Sequence, residues 1–231
     1  GIIQLGYGEN LQLVEATIIE STSCVNVDMA CDKFLTNRIL RMHGLPVPEC
    51  TMAYSEEMAV FLTESMGYPV VLKPAHGNQG KGVTLDINSS DEVRRAYGLA
   101  KKYDDAVVIE RYVPGNDYRF LVVGNKVSAV ARKEPAHVVG NGVNSVRELV
   151  EKENMNPLRG EKHEKPLTKI IIDEDTERIL AKQGAYLSYI PEQGRKVYLR
   201  ENGNLSTGGV AEDCTEIVHP ENKKAAIKAA M

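Results

Sequence analysis

No stretch of this 231-residue chain is apolar for long enough to cross a membrane as a helix. Basic runs are also missing, and a net charge of −4 argues against a nucleic-acid partner. Cysteine is scarce: Cys24, Cys31, Cys50 and Cys214 show no Cys-x-x-Cys spacing, which argues against a zinc site or a dithiol redox motif. Four scattered thiols fit a reducing cytoplasm, where buried cysteine behaves as a small hydrophobe. The sequence begins with glycine and shows no secretory signal pattern, internal repeat or long low-complexity linker. No Ser-His-Asp or Cys-His set is legible. What remains has the composition of an ordinary globular protein, 42% hydrophobic and 26% charged. Its length suffices for one large domain or two small ones with a sizeable core.

The most informative stretch runs from Val70 to Val83. An apolar run ends in Lys73, a polar glycine-rich loop follows, and alternation resumes at Val83 to Ile87. That pattern predicts a strand, a loop and a second strand. Glycines at 77, 80 and 82 let backbone N–H groups curl around an anion, and Lys73 and Lys81 bring positive charge to it. The segment reads as a phosphate site or as a surface hairpin with solvated lysines. It is not a Walker loop, because no Gly-Lys-Ser/Thr opens a helix, nor a dinucleotide fingerprint, because a strand follows it.

Around that stretch the spacing predicts a helix over 27–43, with Phe34, Leu35, Arg38, Ile39 and Met42 on one face and Lys33 on the other, free for solvent or a ligand. Ser55 caps a second helix ending at Met66, and Ser89 to Glu92 resembles a capping box ahead of Val93, Ala96, Tyr97 and Ala100. Residues 106–113 read as a buried strand. Two strands, 118–123 and 126–133, alternate around Gly124-Asn125, a hairpin signal. That hairpin brings Arg119 and Arg132 onto one sheet face. Beyond it, short helices are expected over 145–153, with a capping box to Glu148, and over 173–183. Residues 156–169 read as loop and 196–201 as strand. His219-Pro220 opens a final helix.

Asp32-Lys33, the Lys73 strand with its loop, and Glu110 to Arg119 follow one another in an order that resembles the ATP-grasp superfamily. The resemblance is strongest to the ATP-grasp domain of cyanophycin synthetases. It is carried also by Gln4 to Gly8, Ala30 to Lys33, Pro135 to Gly140, the Arg159–Lys169 segment and Asn204 to Gly209. It implies an α+β, ATP-grasp fold in which two α+β subdomains grip ATP. The expected organisation is a lead-in over 1–48, a lid subdomain over 49–112 and a C-terminal subdomain over 113–231, truncated at its C-terminus.

The resemblance also implies roles. Lys33 and Lys73 neutralise the α- and β-phosphates of ATP. His76, Gly77, Gly80, Lys81 and Gly82 form a lid over the triphosphate, with Lys81 either near the γ-phosphate or solvated. Glu110 to Val113 supply an adenine hinge. Asp117 accepts from the ribose hydroxyls, or is simply a turn residue after Pro114-Gly115-Asn116. Arg119 and Arg132 face phosphate or the developing oxyanion, where a guanidinium fork suits better than an ammonium, or are exposed strand charges. Asn204 and the following Ser206 to Gly209 line the substrate loop. His137 and His163 are structural or contact polymer, and His219 is a cap.

The implied reaction activates the C-terminal carboxylate of a polyaspartate backbone as an acyl phosphate and adds aspartate. Arginine is added by a separate Mur-ligase-like domain. Substrates are ATP, aspartate and the cyanophycin polymer, with no nucleic acid and no membrane, in a cytoplasmic homo-oligomer. Mg2+ bridges the phosphates, but the family's ligands, an acidic residue and a Glu-x-Asn pair, are expected beyond Met231. Glu212 and Asp213 do not fill that motif, so no metal ligand is assigned, and this polypeptide is expected to hold nucleotide without ligating. Alternatives are a glutathione-forming or polyglutamate-adding ATP-grasp ligase, or a nucleotide-binding module without catalysis.

Overall fold

The computed structural model describes every residue except Thr17, Asn78, Gln79, Lys162 and His163. The chain divides into two compact units, Gly1–Val113 and Pro114–Met231.

The first unit opens with a small antiparallel sheet of β1 (Ile2–Leu5), β2 (Gln12–Glu15) and β3 (Ile18–Ile19). Helices α1 (Cys24–Cys31) and α2 (Lys33–Met42) follow. Then come β4 (Cys50–Ala53), α3 (Glu56–Met66), β5 (Val70–Pro74), β6 (Thr84–Ile87), α4 (Ser90–Ala100) and β7 (Val107–Arg111). The last four strands form an antiparallel sheet of order β4-β7-β5-β6. Ser55 and Ser89 cap α3 and α4 as their sequences predict, each accepting a hydrogen bond from an amide three residues on.

Successive strand residues point to opposite faces, and residues paired across strands share a face. One face of the sheet, with Ala53, Val70, Leu72, Val107 and Ile109, packs on Ala59, Val60 and Met66 of α3 and on Val93, Ala96, Tyr97 and Ala100 of α4. Each large side chain so buried contributes about 1.5–3 kcal/mol relative to exposure. The opposite face carries Cys50, Val71, Lys73, Val108 and Glu110.

The helix expected over 27–43 is two helices. Asp32 takes an extended backbone between them, and its Oδ1 accepts from Phe34 N and Leu35 N at 2.9 Å, starting α2 anew. The expected apolar face is not the covered one: Met42 is 81% exposed, and the buried position is Asn37, whose amide donates to Pro48 O. A polar side chain occupies the inward position because the neighbouring loop offers it a carbonyl.

The second unit contains β8 (Asp117–Val123), β9 (Lys126–Glu134), β10 (His137–Val139), α5 (Val146–Asn154), β11 (Arg159–Gly160), β12 (Leu167–Thr168), α6 (Glu174–Lys182), β13 (Lys196–Tyr198), β14 (Val210–Asp213) and α7 (Pro220–Ala230). Strands β14, β9 and β8 form an antiparallel sheet. Val127, Val130 and Cys214 pack there with Phe120, Val122, Ala226 and Ile227. A second core joins Val138 and Val197 of the β10–β13 pair to Val146, Leu149 and Val150 of α5 and Leu180 of α6. The capping box of Ser145 and Glu148 is present, and His219 caps α7 through Nδ1.

Two expectations fail here: residues 156–169, expected as loop, hold the short parallel pair β11–β12, and the β8–β9 hairpin does not keep an unbroken register. Starting from the Gly124-Asn125 turn, Val123 pairs with Lys126 and Val122 with Val127, but Leu121 then pairs with Ala129. Ser128 is left over as a bulge. A one-residue slip exchanges the two faces of everything beyond it. Arg132 therefore lies opposite Tyr118, and Arg119 opposite Ala131, so the two arginines project from opposite faces of the sheet.

Candidate functional site

In the first unit the face of the β4-β7-β5-β6 sheet opposite α3 and α4 gathers charged residues. Lys73 Nζ meets Glu110 Oε2 at 2.6 Å, with side chains only 19% and 14% exposed. Val71, two residues before Lys73 on β5, is the register partner of Glu110, so the two charges converge on one face. The partner that a lysine at the end of an apolar strand requires is thus the carboxylate of the hinge strand.

Lys33, the first residue of α2, donates from Nζ to Ala75 O at 3.2 Å and Gly77 O at 3.0 Å. It faces the glycine-rich loop rather than open solvent. Burial lowers its pKa first, and Lys73 lowers it further, against the opposing carboxylates of Asp104, Glu110 and Asp32. A half-buried cation under that pressure gains from an anionic ligand. Cys50, beside Glu110 across β4 and β7, is pushed up to about 12 by burial and by that carboxylate. It is a thiol at neutral pH and no nucleophile.

His76 starts the loop. Its backbone N and ring Nδ1 each lie 2.7 Å from Asp104 Oδ2, while Asp104 Oδ1 accepts from Ala106 N at 3.0 Å. Burial works to raise the Asp104 pKa, but the Ala106 and His76 amides and the His76 ring hold it below the ordinary value. At the other end, Gly82 has φ +69°, and a Cβ there would stand 2.7 Å from Tyr103 Cδ2. The start of the loop is therefore pinned to the segment that follows α4, and its end lies close against Tyr103 and Ala100. Between them Gly77 and Gly80 also have positive φ, Lys81 is exposed, and the expected lid positions 78 and 79 lie outside the described residues. The β7 strand closes with Tyr112 N donating to Pro69 O, and Val113 is exposed at the end of the unit.

In the second unit Asp117 Oδ2 and Lys133 Nζ pair at 2.6 Å on the sheet face that also bears Arg119. Arg132 is ion-paired with Glu212, its register partner on β14. Asn204 is half-buried, and its carbonyl accepts from Thr207 N, Thr207 Oγ1 and Gly209 N around a 3₁₀ turn, Leu205–Thr207. Gly208 follows with φ +93°, where a Cβ would meet the buried Ile170 Cγ1 at 2.7 Å. Arg159 Nη1 donates to Gly208 O at 3.0 Å and to Thr168 O at 2.7 Å, and its Nε donates to Glu153 Oε1 at 3.1 Å.

His137 bonds Pro135 O through Nδ1 and lies against Tyr198, a structural setting. His163 lies outside the described residues. Glu212 is spent on Arg132, and Asp213 Oδ1 accepts from Thr215 N and Oγ1. Among the described residues no three His, Cys, Asp or Glu side chains converge on one point. A cavity of about 430 Å³ in the second unit is lined by Ser145, Arg147, Glu177, Leu180, Tyr186 and Leu187. None of the candidate site residues expected from the sequence lines it.

Sequence reasoning missed Asp104, Lys133, Glu153 and the burial of Arg159. Asp104 and Lys133 were visible only as ordinary surface charges. Arg159 stood in a segment read as polar loop, and nothing local distinguishes a buried arginine from a solvated one.

A family model described as an ATP-grasp domain matches residues 27–107, the span from α1 to the start of β7 that holds Lys33, Lys73 and the glycine-rich loop. The chain carries an ATP-grasp domain. It is 45% identical over 222 residues to the cyanophycin synthetase of Nostoc sp., covering 96% of this chain and 25% of that protein. It is 35% identical over 236 residues to the glutathione biosynthesis bifunctional protein of Clostridium perfringens, covering 99% of this chain and 30% of that one. Among solved structures, a bifunctional glutathione synthetase from Pasteurella multocida superposes with a TM-score of 0.63 at 32% identity, over 99% of this chain and 31% of that one. The chain thus spans about a quarter of the length of the cyanophycin synthetases it matches. The α+β ATP-grasp fold expected from the sequence is the fold observed, and no helix among the described residues is long and apolar enough to cross a membrane.

Proposed function

We propose that this chain is the ATP-grasp portion of a cyanophycin-synthetase-like ligase, which joins a carboxylate to an amine with ATP and takes aspartate as the incoming amino acid. The observation that carries the reading is the meeting of Lys33, Lys73 and the start of the glycine-rich loop at the sheet face opposite α3 and α4. Two half-buried cations beside a loop of permissive backbone fit a polyphosphate. The 45% identity over nearly the whole chain supports the cyanophycin assignment.

In this reading Lys33 and Lys73 hold the α- and β-phosphates, and the loop from His76 to Gly82 covers them and excludes water. Main-chain groups of Glu110 to Val113 receive adenine, and Asp117, steadied by Lys133, receives the ribose hydroxyls. Arg119 shares the Asp117 face, whereas Arg132 lies on the other face with its charge offset by Glu212. That arrangement supports Arg119 as the guanidinium facing the developing oxyanion. Asn204 orients the substrate beside the transferred phosphate. The substrate carboxylate oxygen takes the γ-phosphoryl group and ADP leaves. The amine nitrogen then attacks the acyl carbon, inorganic phosphate departs, and the surplus amine proton passes to solvent. Positioning and charge neutralisation supply most of the rate.

A glutathione-forming ligase is the second reading, supported by the Pasteurella superposition. The test is ADP release by the longer protein of which this chain is proposed to be part. Turnover that needs aspartate and a cyanophycin primer supports the first reading. Turnover that needs glycine and γ-glutamylcysteine overturns it.

A further inference from the structure

Two arginines of the second unit are buried, Arg159 at 3% and Arg200 at 8% exposure. Removing a guanidinium from water costs several kcal/mol unless its donors are matched. Both are matched, but to different ends. Arg200 serves the start of α6: it bonds Thr176 Oγ1, Ile171 O and Asp173 Oδ2 at that helix N-terminus, and also the carbonyl of its neighbour Leu199.

Arg159 instead ties three separate segments together. Glu153 anchors it to the last turn of α5, Thr168 O lies on β12, and Gly208 O closes the turn that begins at Asn204. Thr207, Gly208 and Gly209 amides already bond back to Asn204 and Leu205 carbonyls, so the turn is internally rigid. Through Gly208 O, Arg159 fixes it to α5 and β12, beside its packing on Ile170 and the β14–β9 pairing that follows Gly209. The same turn leads into β14, which brings Glu212 to Arg132.

We infer that Arg159 is a positioning residue for the ligase reaction, holding the Asn204–Gly209 turn, and with it Asn204, at the reacting carboxylate. The inference rests on the proposed function for the chemistry, but its structural half stands alone. A guanidinium does this where a lysine would not, because its fork reaches two carbonyls and a carboxylate at once in one plane.

The test compares Arg159→Met, Arg159→Lys and Arg200→Met in the longer enzyme. Both methionine variants should lower the melting temperature. Only Arg159→Met should lower kcat, by about 10–100-fold, as expected for a misplaced reacting group. Its KM for ATP should stay within about twofold, because nucleotide binding is not what the turn supplies. Arg159→Lys should recover part of kcat by reaching one carbonyl. Hydrogen exchange at the Thr207, Gly208 and Gly209 amides should quicken in Arg159→Met and not in Arg200→Met, a readout that needs no substrate. Unchanged exchange, wild-type kcat per folded enzyme, or an equal kcat loss in Arg200→Met overturns the inference. If Arg159→Met does not fold, Arg159→Lys decides it: wild-type kcat and exchange in that variant overturn it too. Wild-type enzyme that ignores aspartate while the exchange difference persists overturns the proposed function and leaves the attachment of the turn standing.

Discussion

Replacing Lys73 separates two things that this side chain does at once. Its ammonium lies 2.6 Å from Glu110, and both side chains are less than a fifth exposed, at 19% and 14%. Breaking a fully buried pair by removing one partner costs about 3–5 kcal/mol, whereas an exposed pair contributes under about 1 kcal/mol. Between these limits Lys73→Met should destabilise by about 2 kcal/mol, which for a chain of this size lowers the melting temperature by about 4–8 °C. Nucleotide binding should also weaken. A charge-assisted bond to phosphate contributes about 1.5–3 kcal/mol, or roughly 10–100-fold in Kd. The double substitution Lys73→Met with Glu110→Gln separates the effects. It removes the orphaned carboxylate and should regain most of the stability, while ATP binding stays weak. Thermal melts followed by circular dichroism and calorimetric ATP titration measure both. A melting temperature unchanged in Lys73→Met would refute the pairing argument. Wild-type ATP affinity in the double variant would refute the phosphate role.

Asp104→Asn should loosen the start of the glycine-rich loop and cost about 1–2 kcal/mol at pH 7 by weakening the bonds from His76 and Ala106. The folded-state carboxyl lies below the ordinary 3.8, so this contribution is complete above that pH and disappears as pH falls through the lower value. Stability curves of wild type and variant should therefore converge in acid, and a constant gap down to low pH would contradict the pairing. Gly82→Ala should cost about 1–2 kcal/mol for a left-handed backbone, and more where the new methyl crowds Ala100 Cα and Pro74 Cδ at 3.3 Å, although the exposed Tyr103 ring can swing away. Urea melts would show it, and a neutral result would mean that the loop relaxes to negative φ. Cys50, pushed up to about 12, should resist iodoacetamide at pH 8 while the exposed Cys24 and Cys31 are alkylated, as peptide mass mapping would show.

Short-range chemistry was well written in the chain. Ser55, Ser89, Ser145 and His219 all cap the helices expected of them, because a cap is a contact between residues two or three apart. The Gly124-Asn125 hairpin and the Lys73 strand and loop were legible for the same reason. Asp32 shows where such reading stops. A carboxylate inside a helical pattern is tolerated by propensity, yet here it restarts the helix and so sets Lys33 at a helix N-terminus, against the loop carbonyls. Lys33 was expected to be free because helical periodicity says which side a residue takes, not what the rest of the unit brings to that side.

The sequence by itself determined the helix caps, the Gly124-Asn125 turn, the strands around Lys73 and Glu110 and their order after Lys33, and through that order the ATP-grasp fold. Tertiary structure decided the pairings. Lys73 finds Glu110 across 37 positions of sequence, and Arg159 finds Gly208 across 49. The Ser128 bulge sends Arg119 and Arg132 to opposite faces where an unbroken register would have joined them. Caps and turns are fixed by local hydrogen bonds that a few residues specify. Pairing partners are fixed by register and packing, where one inserted residue reverses every side chain that follows.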